Sequence, residues 1–337
     1  MLFFQTRSTA KILVEGTGVY FRHISAITRP FVIPVVMQVA GLFLWVMLAC
    51  QSADWTVHWP ITLRWLMFIA ANLPGVAICI RGFWDYLIWF AALNLVIRDL
   101  VDNNPLLEAS GYTLRITSRS MEYSLIWLFL FALSFIPVGL AFIPLTVGMG
   151  TPALWMIMVA ASAVILGVGL LMATILSLLF AMVFQVFVFT PGSAGSSFFK
   201  SVDLVRLDWC KVLVISLLSL VIVQNALPAG VVFIFDALHL TERLSQWVGL
   251  FLGPMFNASA SEALRFPRHY PVYMIDFYQY IHKSPGELFT MTSEAFLFSI
   301  SYALSLPLST CWFALLYADL KTAQVPQHIS PPVLQTT

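Results

Sequence analysis

The residues that could do chemistry in this chain are few, and the densest group of them lies in its C-terminal third. Arg265, Arg268 and Tyr270 stand there beside His269, and six aromatic residues fall within 266–280. Tyrosine favours the boundary between membrane and water, because one end of its side chain is apolar and the other forms hydrogen bonds. The segment is interpreted either as an interfacial anchor or as a site where the arginines bind a lipid phosphate or a protein partner.

Catalytic motifs are missing from the rest of the sequence. No GxSxG, HExxH, Walker A or GxGxxG pattern stands in a suitable context. The spacing of His239, His269 and His282 does not suggest a metal site. The cysteines form no CxxC pair and are expected to be free thiols: Cys50, Cys79, Cys210 and Cys311. We therefore predict no catalytic residue, no metal and no cofactor, and we leave enzymatic activity open, with a leaning against it.

Two further polar features lie in or beside apolar runs. Arg81 and Asp85 are four residues apart, so they can pair on a helix. The pair is interpreted as a salt bridge at the cytoplasmic interface or as a site for a lipid headgroup or partner. Gln185, Gln224 and Asn225 are expected to form hydrogen bonds between helices, with substrate contact as the alternative.

These residues stand in a very apolar chain of 337 residues. Only 10% of the residues are charged, against about 25% in soluble domains, and mean hydropathy is +0.89. Residues 123–199 contain no Asp, Glu, Lys or Arg, and a spanning helix needs about 20 apolar residues. The composition predicts an all-α polytopic membrane protein. A net charge of +1 argues against a nucleic-acid partner.

Hydropathy predicts about six spans within one transmembrane domain, residues 31–321. It lies between an N-terminal cytoplasmic segment, 1–30, and a flexible tail, 322–337. The spans are expected at about 31–50, 61–80, 123–147, 153–189, 212–235 and 295–318.

Three details of this layout are left as expectations. Residues 82–98 are interpreted as a continuation of the second span or as an interfacial segment. Residues 247–256 form a short apolar run that fits a re-entrant or interfacial piece. The fourth span is too long for a bilayer core of about 30 Å, so it is expected to tilt, bend or project into water, with Gly167 and Gly169 as candidate bend points.

Basic residues set the expected orientation. Lys and Arg are concentrated before the first span and in segments 81–122 and 190–211, whereas loops 51–60 and 148–152 contain none. Positive charge favours the cytoplasmic side. Both termini are therefore predicted to be cytoplasmic, with the region 236–294 outside.

The chain matches itself at an offset of 91 residues. Ser110 and Arg115 correspond to Ser201 and Arg206, and PxGxxFI occurs in the same register at 137–143 and at 228–234. Such self-similarity indicates an internal repeat, with copies at about 105–147 and 196–238. Each copy has a cytoplasmic helix before its span, so the repeat is predicted to be parallel.

Proline and glycine mark the spans. The pairs are Pro74 with Gly75, Pro137 with Gly139, and Pro228 with Gly230. They are interpreted as static kinks with a packing surface, or as hinges that line a cavity.

The helix before the fifth span is predicted to be amphipathic. Phe198, Val202, Val205 and Trp209 share one face at helical spacing, and Ser196 or Ser197 is expected to cap the helix. Such helices lie in the membrane interface. Lipid or partner contacts are therefore expected at Arg115, Arg206 and Trp209.

Three segments carry a resemblance: NPLLEASGYTLRITSRSMEYSLIWLFL, GSSFFKSVDLVRLDWCKVLVISLL and CWFALLYADLK. They resemble bacterial six-span inner-membrane proteins that include the membrane domain attached to glycerophosphodiester phosphodiesterases and the YciC-like proteins. The positions that match are Ser110, Ser201, Arg206, Tyr317, Asp319, Leu320 and Lys321. The resemblance implies a helical protein of the bacterial inner membrane, without the phosphodiesterase activity.

Three functions remain open at this point. The first is a non-enzymatic inner-membrane protein in envelope lipid handling, transport or membrane-complex assembly, with membrane lipids as partners and a protein partner at the cytoplasmic helices. The second is a permease subunit coupled to a cytoplasmic ATPase. The third is a membrane enzyme with its site in 236–294.

Overall fold

The computed structural model describes residues 7–55, 58–102, 104–148, 152–240, 243–244, 246 and 285–324. These residues are almost entirely helical, and no strand occurs among them. The helices are α1 (Thr9–Arg22), α2 (Ile24–Thr28), α3 (Val32–Trp55), α4 (Ile61–Val101), α5 (Ala109–Thr117), α6 (Ser120–Gly148), α7 (Pro152–Leu179), α8 (Val183–Phe189), α9 (Ala194–Leu207), α10 (Trp209–Leu218), α11 (Leu227–Ala237) and α12 (Pro285–Gln324).

Six helical stretches of the described chain are long and apolar enough to span a membrane. They are Ile24–Trp45, Ile61–Val101, Ser120–Pro144, Leu154–Phe189, Trp209–Ala237 and Phe296–Gln324. Many large apolar side chains on them are exposed, as expected for surfaces that face lipid. The protein is therefore an all-α polytopic membrane protein, which confirms the fold class predicted from composition.

The second and fourth spans differ in how they accommodate excess length. Helix α4 is continuous over 41 residues, so 82–98 continues the second span. The fourth span breaks at residues 180–182, between α7 and α8. The break therefore lies beyond Gly167 and Gly169, the two candidate bend points, because both glycines lie inside α7. Residues 247–256, like Arg265, Arg268 and Tyr270, lie outside the described residues.

The fifth span contains a π-helical segment, Ser219–Ala226, between α10 and α11. In a regular α-helix the carbonyl of Gln224 would accept from residue 228, which is a proline and has no N–H. The Tyr302 hydroxyl donates to that carbonyl instead, at 3.3 Å. The Asn225 amide donates to Leu220 O within the same segment, at 2.6 Å, and not to another helix as predicted.

The helices form two compact units. Unit 1 comprises Met1–Arg22, Ala91–Ser219 and Ser309–Thr337. Its N-terminal helix α1, which lies in the segment predicted to be cytoplasmic, packs through Gly16 against Trp312. The Trp312 indole donates to the Thr17 hydroxyl at 3.1 Å.

Aromatic side chains form much of the core of unit 1. Tyr123 of α6 stacks on Phe187 of α8 with ring centroids 5.6 Å apart. Trp127, one turn along α6, lies 4.9 Å from Phe184. Tyr123 and Phe187 are fully buried, so this cluster holds the short helix α8 against α6.

Unit 2 comprises His23–Phe90 and Leu220–Leu308. Its α3 and the first part of α4 run antiparallel and approach closely at three glycines, Gly41, Gly75 and Gly82. A Cβ on any of these glycines would collide with the facing helix, and at Gly75 it would meet the backbone of Trp45. The Gln38 side chain donates to Gly82 O at 3.3 Å. Small residues at such contacts let the two backbones meet, as is common between spanning helices.

Gly75→Ala is expected to lower the free energy of unfolding by about 1–3 kcal/mol, because the new methyl group would push α3 away from α4. Unfolding by titration with a denaturing detergent measures the change. Gly139→Ala is the matched control, since no atom of the described residues lies within 4 Å of a Cβ built there. Alanine favours helix over glycine by about 0.5–1 kcal/mol, so the control is expected to be neutral or stabilising. Equal destabilisation by both substitutions would contradict the close contact at Gly75.

Candidate functional site

A cleft in unit 1 lies at the C-terminal ends of three helices. Residues from the last turns of α4, α8 and α12 line a cavity of about 420 Å³. Ile97 and Val101 of α4, together with Ala314 and Leu315 of α12, supply an apolar wall. Three charged side chains complete the lining, Arg98, Asp102 and Lys321. The cleft therefore joins an apolar surface to charges of both signs.

Two aromatic rings lie between the cations of the cleft. Phe189 of α8 stacks on Tyr317 of α12, with centroids 5.0 Å apart and planes inclined by 27°. The Arg98 guanidinium carbon lies 5.7 Å from the centroid of Phe189, and the Lys321 ammonium lies 5.9 Å from that of Tyr317. Cations are attracted to the negative faces of aromatic rings. The stacked pair thus holds one cation on each side.

Asp99 positions Arg98. Its carboxylate is buried, accepts from the Arg98 guanidinium at 3.2 Å and accepts from the Tyr112 hydroxyl at 2.9 Å. The Leu107 N–H donates in turn to that hydroxyl at 3.1 Å. Burial and the Asp99 carboxylate raise the pKa of Tyr112, while the Leu107 amide opposes the rise. Tyr112 therefore stays protonated and keeps its donated bond as pH rises past its ordinary pKa.

Asp319 positions the last turns of α12. Its buried carboxylate lies 2.9 Å from the Lys211 ammonium and accepts from the backbone N–H of Arg7 at 2.6 Å. Lys211 also contacts Asp208 at 3.1 Å. Because Asp319 lies between Tyr317 and Lys321 in the chain, these bonds fix the turn that carries both cleft residues.

Arg119 positions the end of α8. Its guanidinium donates to Phe187 O at 2.7 Å and to Gly192 O, and it lies 4.1 Å from the centroid of the Phe187 ring. The Glu122 carboxylate lies 2.9 Å from this guanidinium and neutralises its charge. Carbonyls at a helix C-terminus lack partners within the helix and carry partial negative charge, so an arginine satisfies them well. Gly192 has φ of +150°, a conformation that favours glycine.

Helix α9 buries a face that only partly overlaps the one that its apolar residues predicted, and Phe198 and Val202 of the predicted face are half-buried. The buried residues are Ala194, Ser197, Ser201, Leu204 and Val205. Of the predicted face only Val205 is buried, and Trp209, which begins α10, is 57% exposed. The cap is Ser193, which accepts from the N–H of Ser196, so the predicted caps at Ser196 and Ser197 are wrong.

The hydrogen bonds of Ser201 explain why a polar residue lies on this buried face. Its hydroxyl donates to Leu179 O at 3.0 Å and accepts from the N–H of Met182 at 3.2 Å. Both backbone groups flank the break between α7 and α8. The serine thus satisfies groups that the interrupted helix leaves without partners.

The predicted site residues are spread over the molecule. Arg81 and Asp85 form the predicted ion pair, with Nε and Oδ2 3.0 Å apart. Arg115 and Arg206 lie exposed near the ends of α5 and α9. Gln185 forms the predicted bond between helices, donating to Asn94 Oδ1 at 3.2 Å.

The proline and glycine pairs have different surroundings. Gly75 packs against α3, as described above, whereas within the described part of the chain no atom lies within 4 Å of a Cβ built on Gly139 or Gly230. Pro137 packs against Gly169 of α7. Pro228 is buried near the start of α11. Whether any of these residues acts as a hinge stays a prediction.

The cleft was not predicted from the sequence. Tyr317, Asp319 and Lys321 entered only through the resemblance, and Arg98, Asp102 and Phe189 were not among the predicted site residues. The available signal was the position of charged and aromatic residues just where apolar runs end. Within the described residues no group of His, Cys, Asp or Glu could hold a metal ion.

Comparison with known proteins adds no relative. The chain matches no protein-family model, no curated protein and no solved structure. The geometry of the described residues therefore carries the functional argument.

Arg119→Lys is expected to lower the free energy of unfolding by about 1–2 kcal/mol, because one ammonium cannot replace a planar group that binds two carbonyls and a carboxylate at once. Thermal unfolding in detergent measures the loss. Arg115→Lys is the control, because Arg115 is exposed on α5 and either cation can be solvated there. If the two variants unfold alike, Arg119 does not fix the end of α8.

Proposed function

We propose that this integral membrane protein binds membrane phospholipid in the cleft at the ends of α4, α8 and α12, and that it acts in envelope lipid handling without being an enzyme. The observation that carries the proposal is the combination of an apolar wall with Arg98 and Lys321 held on the faces of Phe189 and Tyr317. A phospholipid presents the complementary pair of surfaces, acyl chain and phosphate.

The cations are suited to a phosphate. Asp99 takes the hydrogen bonds of Arg98 Nε and Nη2. Nη1 has no hydrogen-bond partner among the described residues. Lys321 is exposed and makes no ion pair with them. Bonds from Arg and Lys to phosphate are charge-assisted and stronger than neutral ones, and basic residues near a membrane surface attract lipid phosphates.

The location that fits this role is the bacterial inner membrane, with both termini in the cytoplasm. Two observations support the orientation. The bond from Arg7 N–H to Asp319 brings the start of the chain to the end of α12. Arg98, Arg119 and Lys211 also belong to bonds at this end of unit 1, and such a concentration of basic residues is typical of the cytoplasmic side.

Reporter fusions test the orientation. A fluorescent protein that matures only in the cytoplasm is expected to be bright when fused to either terminus. A periplasmic phosphatase reporter at the same positions is expected to be inactive. An active phosphatase at either terminus would overturn the proposed topology.

The parallel repeat remains part of the proposal, and two contacts support it. Asn94 bonds to Gln185, and Arg98 lies over Phe189. Both pairs are separated by 91 residues, the offset of the repeat, and the helices α4 and α7 begin at Ile61 and Pro152, again 91 apart. Contacts between equivalent positions are expected where two copies meet at a pseudo-two-fold axis.

The exposed parts of the cytoplasmic helices support a second proposed contact. Arg115, Arg206 and Trp209 point away from the buried faces of α5, α9 and α10. Trp209 fits the interfacial lipid layer, and the arginines are placed for a protein partner. The resemblance to the YciC-like group agrees with a non-enzymatic membrane protein, and nothing in this proposal requires a nucleic acid.

Removal of the cations tests the function. After purification in mild detergent, the wild-type chain is expected to retain phospholipid that organic extraction and phosphate assay detect. Each of Arg98→Ala and Lys321→Ala is expected to reduce retention about fivefold, the factor for about 1 kcal/mol per basic residue.

Lys200→Ala is the matched control for this experiment. Lys200 is an exposed lysine of α9 and lies outside the cleft. Its loss is expected to leave retention unchanged. Equal retention by wild type, Lys321→Ala and Lys200→Ala would contradict the proposed lipid site.

A further inference from the structure

The cleft carries a negative as well as a positive charge without an internal partner. Arg98 is neutralised by Asp99 at 3.2 Å. Lys321 and Asp102 remain, and neither forms a salt bridge within the described part of the chain. Asp102 is exposed, directly follows the last residue of α4, and donates its own N–H to Arg98 O at 2.9 Å. Its carboxylate is therefore available to a ligand.

We infer that the cleft selects a phospholipid whose headgroup carries both a phosphate and a primary ammonium group, with the ammonium bound by Asp102 and the phosphate by Lys321 and the free Nη1 of Arg98. The inference rests on the proposed function and adds the class of headgroup. A lysine of α12 and an aspartate at the end of α4, neither of them in a salt bridge with the described residues, match a ligand of zero net charge. An anionic lipid would place its uncompensated negative charge beside the Asp102 carboxylate.

Helix ends add to the preference for a cation near Asp102. The cleft lies at the C-terminal ends of α4, α8 and α12, where backbone carbonyls carry partial negative charge and favour cations. The Asp102 carboxylate lies at the end of α4. An ammonium group there interacts with both the carboxylate and the terminal carbonyls.

The ammonium should be primary, because a carboxylate binds it through N–H donors. A trimethylammonium headgroup has the same charge but no N–H. It would keep the attraction of its charge and lose the hydrogen bonds. The acyl chains are part of the ligand because Ile97, Val101 and Leu315 offer them an apolar wall. A water-soluble headgroup would leave that wall unoccupied.

Competition between lipids tests the inference. The full chain is placed in nanodiscs that contain equal amounts of phosphatidylethanolamine, phosphatidylglycerol and phosphatidylcholine, and the lipids that stay bound are identified by native mass spectrometry. We expect phosphatidylethanolamine to be enriched about three- to fivefold over each of the others, the factor of one exposed ion pair.

Variants separate the two charges. Asp102→Asn is expected to abolish the enrichment while phospholipid stays bound, and Lys321→Ala is expected to reduce binding of all three lipids. Asp203→Asn is the control for Asp102→Asn, because it removes an exposed carboxylate of α9 outside the cleft. It should keep the enrichment. Coincident thermal unfolding of the two variants excludes a difference in folding.

Each contrary result has a distinct meaning. Binding that depends on Lys321 but shows no preference, or a preference that survives Asp102→Asn, overturns the headgroup inference and leaves the proposed function standing. Binding that is indifferent to Lys321 overturns both. If glycerophosphoethanolamine, which has the headgroup without acyl chains, competes as well as the phospholipid, the lipid assignment is wrong.

Discussion

Asp319 is a buried carboxylate at the end of the last helix, and unit 1 depends on its two bonds. Lys211 of α10 and the backbone of Arg7 both donate to it. A buried charge is costly unless it is paired and hydrogen-bonded, so removal of one partner leaves the other with a large desolvation penalty. The two carboxylate oxygens of Asp319 therefore hold together the start of the chain, the fifth span and the last helix.

Paired and hydrogen-bonded charges also lie at the ends of the other helices that form the cleft. Asp99 receives Arg98 and Tyr112 at the end of α4, and Arg119 binds the last carbonyls of α8. Charged residues are rare within the apolar spans because desolvation of a charge is costly. Those around the cleft lie at the helix ends, where they meet backbone groups that also lack partners. The cost of burying charge thus explains two features: the bonds that fix the helix ends and the charged residues at the edge of the cleft.

Two contacts beside the cleft join positions that are separated by the same offset of 91 residues. Asn94 and Gln185 meet one helical turn from Arg98 and Phe189, and each pair is 91 residues apart. The first pair consists of two buried amides, which can donate to and accept from each other. At the next turn the corresponding positions hold an arginine and a phenylalanine. This difference makes the site asymmetric, with a cation on one side and an aromatic stack continuing to Tyr317 on the other.

The sequence alone determined the membrane class, the approximate spans and one local pair, Arg81 with Asp85. These depend on hydropathy and on contacts within one or two helical turns. Only the tertiary structure decided where the fourth span breaks, because Ser201 satisfies the freed groups from a separate helix. It also decided where the cleft forms and which residues line it. Arg98, Phe189 and Tyr317 are far apart in the chain, and packing between helices, which hydropathy does not encode, brings them together.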